Sequence, residues 1–143
     1  MKLHNYGMPT LIELSTIEES AKLCSELGLD FIELNMNMPQ YQIDKIDVEH
    51  FRRIAEKHNI YYTIHLDENL NVSDFNPYVA NAYTKTVIQT IEIAKQLGVG
   101  IMNMHLSKGV YFTMPNKKVF LFTHSDNWFV SLISFIILVF SQV

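Results

Sequence analysis

The chain is poor in the residues that punctuate or cross-link: one cysteine, four prolines and five glycines in 143 residues. A lone Cys24 excludes an internal disulfide framework and suits a reducing compartment. The scarcity of Gly and Pro excludes collagen-like and low-complexity architectures. Neither sign of charge dominates: 11 Lys and Arg stand against 15 Asp and Glu, for a net charge of −4. That balance lacks the basic footprint of a nucleic-acid binder, so no nucleic-acid partner is expected. The start, MKLHNYGMPTLIELS, has no uninterrupted apolar stretch of signal-peptide length, and a cytoplasmic location is expected. No phosphate-cradling Gly-rich loop, CxxC pair, HExxH or nucleophile elbow occurs. What is present is apolar matter, 48% hydrophobic against 18% charged. That suffices for the core of one domain.

Through residue 105 the pattern alternates between short strands and amphipathic helices. Leu3 to Tyr6 reads as a weak first strand. Ser15 and Thr16 offer N-cap hydroxyls, with Glu18 and Glu19 at capping-box spacing. Ile17, Ala21, Cys24 and Leu27 recur at helical spacing, and Gly28 supplies the stop. Phe31 to Met36 is the second strand. Asp47 opens a second helix, whose face is Val48, Phe51, Ile54, Ala55 and His58; Asn59 ends it. Tyr61 to Leu66, aromatic and β-branched, is the third strand. Asn76-Pro77 opens a third helix with Pro at its first position. Val79, Tyr83, Val87, Ile91, Ala94 and Leu97 form its apolar stripe, and Gly98 ends it. Gly100 to His105 is the fourth strand. A β-α-β-α-β-α-β series predicts an α/β fold with parallel strands.

The pattern then changes. Leu106 to Asn116 reads as loop and Lys118 to Thr123 as a strand. Trp128 to Phe140 is almost wholly apolar, and the amphipathic helix expected near residues 112 to 130 is missing. The apolar run is shorter than the roughly 18 to 20 residues that span a bilayer, so a membrane partner is not expected.

Strand side chains alternate between faces. Ile32, Leu34, Tyr62, Ile64, Leu66, Met102 and Met104 form an apolar set suited to covering helices. Phe31, Glu33, Asn35, Tyr61, Thr63, His65, Ile101, Asn103 and His105 then share the other side. Its polar members Glu33, His65, Asn103 and His105 lie near the carboxyl ends of their strands, where parallel α/β folds place their sites. His65 and His105 are one β-α unit apart and are candidate ligands of one divalent metal. Glu33 is the candidate catalytic acid or base, and Asn103 a substrate contact. The bland alternative is a pair of structural histidines and a rim salt bridge. His4, His50, His58 and His124 carry weaker signals, and Cys24 reads as buried and inert.

The segments LGLDFIEL, YYTIHLDENLN and LGVGIMNMHLSKG together resemble the xylose isomerase-like TIM-barrel superfamily, and within it the sugar phosphate isomerases and epimerases. The likeness covers roughly residues 1 to 122. It implies a (β/α)8 barrel with a divalent metal (Zn, Mn, Mg or Co) at the carboxyl end and a small carbohydrate substrate. His65 and His105 match metal- or substrate-contacting histidines of the endonuclease-type members, and Glu33 matches an acidic residue common at the second strand end of isomerase-like members. The superfamily's acidic metal ligands lie mainly on the fifth strand and later. The apurinic-site endonucleases of the endonuclease-four type share the barrel and stand as the alternative activity. A non-catalytic or membrane-associated fragment is the alternative of another class.

A whole barrel takes on the order of 250 residues. The resemblance therefore implies a partial barrel, the N-terminal half, over residues 1–122. Residues 123–143 form an apolar tail, read as non-native or frame-shifted sequence, as a short membrane segment, or as a native fifth strand. Half a barrel leaves two open edges, through which two copies could pair as a homodimer, or which would leave the chain poorly soluble.

Overall fold

The computed structural model describes residues 5–105 and 110–121. Among these the order is β1 (Gly7–Pro9), α1 (Ile17–Glu26), β2 (Phe31–Asn35), α2 (Val48–His58), β3 (Tyr61–His65), α3 (Pro77–Leu97), β4 (Met102–Asn103), β5 (Val110–Met114) and β6 (Lys117–Leu121). Two short 3-10 turns, Pro39–Tyr41 and Ile43–Lys45, sit between β2 and α2. The chain divides into two compact units. One is the chain up to Glu68 together with Gln89–Met104; the other is Asn69–Ile88 with the described residues from His105 onward.

The first unit holds a four-stranded parallel sheet in the order β1-β2-β3-β4. Its elements begin and end where local chemistry dictates. Thr16 caps α1 by accepting from the Glu19 backbone N–H, and Glu19 reaches back to the Thr16 N–H, completing a capping box. Gly28 follows with φ +68°, a left-handed turn that glycine adopts without a Cβ penalty. Asp47 caps α2 through the His50 N–H, and Asn59 closes it at φ 52°.

The core of this unit lies between the helices and one face of the sheet. Ile32, Leu34, Tyr62 and Ile64 are buried there, with Ala21 and Cys24 of α1 and Phe51 and Ile54 of α2. Tyr41, Phe51 and Tyr62 make an aromatic cluster with centroids 5.8 to 6.4 Å apart. The Tyr62 hydroxyl donates to the Phe51 carbonyl at 3.0 Å. Glu18 on α1 pairs with His50 on α2 at 2.7 Å. Leu27, placed by its spacing on the apolar face of α1, is instead exposed as the helix's C-cap.

The first strand differs from the sequence expectation. Asn5 and Tyr6 are not strand, and β1 begins at Gly7. Two local facts permit a strand at Gly7–Pro9. Pro9 lacks an N–H and is tolerated because β1 has a partner on one side only among the described residues. Gly7 packs under the Phe31 ring, where any Cβ would overlap it. Leu3 and His4 lie outside the described residues.

In the second unit, Asn76 starts α3 by accepting from the Tyr78 N–H at 3.0 Å. The segment read as loop from Leu106 to Asn116 contains β5, which pairs antiparallel with β6 from Val110↔Leu121 to Met114↔Lys117. The turn is Pro115-Asn116, residue types that favour turns and end strands. A hairpin thus stands where the next amphipathic helix was sought. His124 and the apolar tail lie outside the described residues. No helix among the described residues is long and apolar enough to cross a membrane.

Candidate functional site

The parallel register fixes which side chains share a rung, because laterally paired residues point to the same face. Pro9, Glu33 and Thr63 form one rung, and Asn35, His65 and Asn103 form the next toward the carboxyl ends. Both rungs lie on the face opposite α1 and α2. Below them Phe31 stacks on Tyr61, centroids 5.2 Å apart, and floors this face toward the amino ends. The face is therefore layered, aromatic at the bottom and polar at the top.

Glu33 and Asn103 meet across the sheet. The Asn103 Nδ2 donates to Glu33 Oε2 at 2.6 Å, linking residues 70 apart in sequence. Glu33 stands on β2 and Asn103 on β4, so their bridge crosses over β3 between the rungs of Thr63 and His65. Glu33 is half-buried and Asn103 exposed, which leaves the pair within reach of solvent. A carboxylate and an amide together offer acceptors and a donor, the set that recognises adjacent hydroxyl and carbonyl oxygens.

His65 ends β3, half-buried, with its Nδ1 3.0 Å from the Leu66 carbonyl oxygen. A carbonyl accepts only, so Nδ1 is the donor here, and in a neutral ring the lone pair is then on Nε2. The loops beyond the strands are tied beside it. Asn37 donates to Asn35 Oδ1 from its backbone at 3.0 Å and from its side chain at 2.8 Å, and Asn37 Oδ1 accepts from the Glu68 N–H at 3.0 Å. The Gln42 side chain donates to the Met36 carbonyl, holding the loop after β2.

Of the four sequence candidates, Glu33, His65 and Asn103 thus share one face of the first unit. His105 is exposed and belongs to the second unit. A catalytic metal ordinarily takes three or more protein ligands. Among the described residues no group of three or more His, Cys, Asp or Glu side chains is placed to hold a metal ion. The described donors by themselves do not complete a metal site. Two residues of the same face, Asn35 and Thr63, were not singled out by their type. The period-two alternation was the signal that placed them there.

Comparison with known proteins gives the geometry a context. The family model described as xylose isomerase-like TIM barrel matches residues 21–120. No curated protein sequence matches the chain significantly. Among solved structures, a D-psicose 3-epimerase from Clostridium cellulolyticum H10 with D-tagatose aligns at TM-score 0.64 and 13% identity, over 96% of this chain and 49% of that one. A D-tagatose 3-epimerase-like protein aligns at 0.62 and 14%, over 97% and 47%. A D-psicose 3-epimerase in the presence of D-fructose aligns at 0.60 and 15%, over 78% and 41%. At such identities the likeness is one of fold, and the chain spans less than half the length of each.

Proposed function

Because the chain belongs to the xylose isomerase-like TIM-barrel family, we propose that it acts in the isomerisation or epimerisation of a small carbohydrate, beside the sugar carbonyl. The observation that carries this reading is the Glu33–Asn103 bridge at the carboxyl ends of parallel strands. That end is where barrel enzymes bind and transform their substrates. Support for the substrate class comes from the solved neighbours, whose names are those of ketose 3-epimerases.

The chemistry needs a base that takes the proton from the carbon next to the carbonyl, and an acid that returns it. Glu33 is the base in this proposal and, once protonated, the acid that returns the proton to the neighbouring carbon in an isomerisation; epimerisation takes a second acid on the opposite face of the sugar. The Asn103 amide, released from Glu33 when a sugar enters, donates to a sugar oxygen and orients it. His65, on the next rung, binds a neighbouring hydroxyl through Nε2. His65, in the first unit, is also proposed as a donor to a divalent ion, Zn, Mn, Mg or Co, and His105, in the second, is proposed as a metal ligand in its own right. Among the described residues no third His, Cys, Asp or Glu donor joins them. The outer strands β1 and β4 each have one partner strand among the described residues. Open edges accept further strands, and a homodimer through them belongs to the proposal.

The test is conversion of D-fructose, D-psicose and D-tagatose, read by chromatography with and without added divalent ion. Interconversion of a ketose with its 3-epimer is expected, reduced at least about 100-fold in Glu33→Gln. Light scattering reads the oligomeric mass in the same samples. Nicking of abasic duplex DNA without sugar conversion overturns the reading and assigns the endonuclease activity instead.

A further inference from the structure

Thr63 is 3% exposed, and its Oγ1 is the one buried side-chain oxygen or nitrogen among the described residues without a hydrogen-bond partner. The other buried threonines are engaged. Thr10 Oγ1 accepts from the Asn35 N–H at 3.0 Å, and Thr84 Oγ1 donates to the Ala80 carbonyl at 2.9 Å. A buried hydroxyl left unpaired costs stability, and such groups are rare enough to call for an explanation. Thr63 is register-paired with Glu33 and lies beneath the Glu33–Asn103 bridge. Its hydroxyl rotates freely and can donate to a carboxylate.

We propose that Thr63 is a positioning residue that exchanges with Asn103 on Glu33: when a sugar hydroxyl draws the amide away, the Thr63 hydroxyl donates to the carboxylate and holds it in place. The proposal rests on the carbohydrate reading of the site and adds to it the group that keeps Glu33 aimed once its bridge is open. In the closed arrangement the Asn103 amide holds Glu33 Oε2, and the Thr63 hydroxyl has no hydrogen-bond partner among the described residues. In the open one Glu33 keeps one donor from the protein and turns its remaining lone pairs to the sugar. No covalent step is involved; one hydrogen bond replaces another.

The exchange is tested by a double-mutant cycle on the full chain. With the bridge intact, Thr63→Val removes an idle hydroxyl, and the melting temperature stays level or rises. In Asn103→Ala the hydroxyl is engaged, so adding Thr63→Val lowers melting by about 3 °C. Thr63→Ser keeps the hydroxyl but removes a buried methyl, so it lowers melting by the same amount in both backgrounds. For D-fructose followed by NMR titration, Thr63→Val weakens binding about five- to tenfold and Thr63→Ser restores most of it. Equal effects of Thr63→Val in the two backgrounds overturn the exchange, as does a full loss of stability in the Asn103-intact chain. A wild-type chain that binds no ketose overturns the carbohydrate reading, while the melting cycle still decides whether Thr63 serves Glu33.

Discussion

The two faces of the parallel sheet are made by the same strands and obey opposite rules. On the face beneath α1 and α2, Ile32, Leu34 and Ile64 are wholly buried. On the other, alternate residues of the same strands bring together Glu33, Asn35, His65 and Asn103, half-buried or exposed, over a Phe31–Tyr61 floor. The first face is held by removal of apolar area from water, which has no preferred direction. The second is held by a few directed hydrogen bonds, whose net contribution to stability is small. One face therefore secures the fold, and the other is left to bind and react.

Substitutions that set the faces against each other should rank in that order. Ile64→Ala on the covered face should cost about 2–5 kcal/mol in urea unfolding, through lost burial and a residual cavity. Gly7→Ala reaches the floor of the other face, where the new Cβ overlaps the Phe31 ring. Displacing that ring from Tyr61 should cost about 1–3 kcal/mol. Tyr62→Phe removes the hydrogen bond to Phe51 from the covered face and should cost about 1 kcal/mol at neutral pH.

Tyr62 also sets an alkaline limit. Burial pushes its phenol well above the ordinary range, and the Tyr41 phenol and the Glu18 carboxylate push it further. A raised value in the folded state contributes stability below the unfolded value near 10, and that stability is lost as pH rises beyond it. Wild type should lose stability in that window, and Tyr62→Phe should flatten the loss in a pH series of melts. Glu33→Gln should have the smallest effect on folding, within about 0.5 kcal/mol, because the site face contributes little to stability. A large destabilisation by Glu33→Gln would erase the distinction between the faces. Cobalt uptake by equilibrium dialysis sharpens the role of His65: weak binding is expected, reduced in His65→Ala.

Much of this was legible in the chain because it is local. Thr16 with Glu19, Asp47 with the His50 N–H, Gly28 and Asn59 each act within a few residues of themselves. Alternation within β2 and β3 assigned every residue its face, since the pleat has a fixed period. The strand at Gly7–Pro9 was not legible in this way. Leu3 to Tyr6 has comparable propensity, and the choice depends on the Phe31 ring over Gly7 and on the edge position of Pro9. Of the β5–β6 hairpin only the strand from Lys118 is legible in the sequence, because its partner strand Val110–Met114 carries no alternation strong enough to stand out from loop.

The sequence by itself determined helix ends, strand faces and the residue types available for chemistry, because caps, left-handed turns and the two-residue period are properties of short segments. Only the tertiary structure decided the register that sets Thr63 beside Glu33 and His65 beside Asn103, and the contact that carries Glu33 across β3 to Asn103. Those depend on how separate strands align. Alignment is settled by the fit of the buried apolar face against its helices, and it is this fit that places the polar groups of the opposite face.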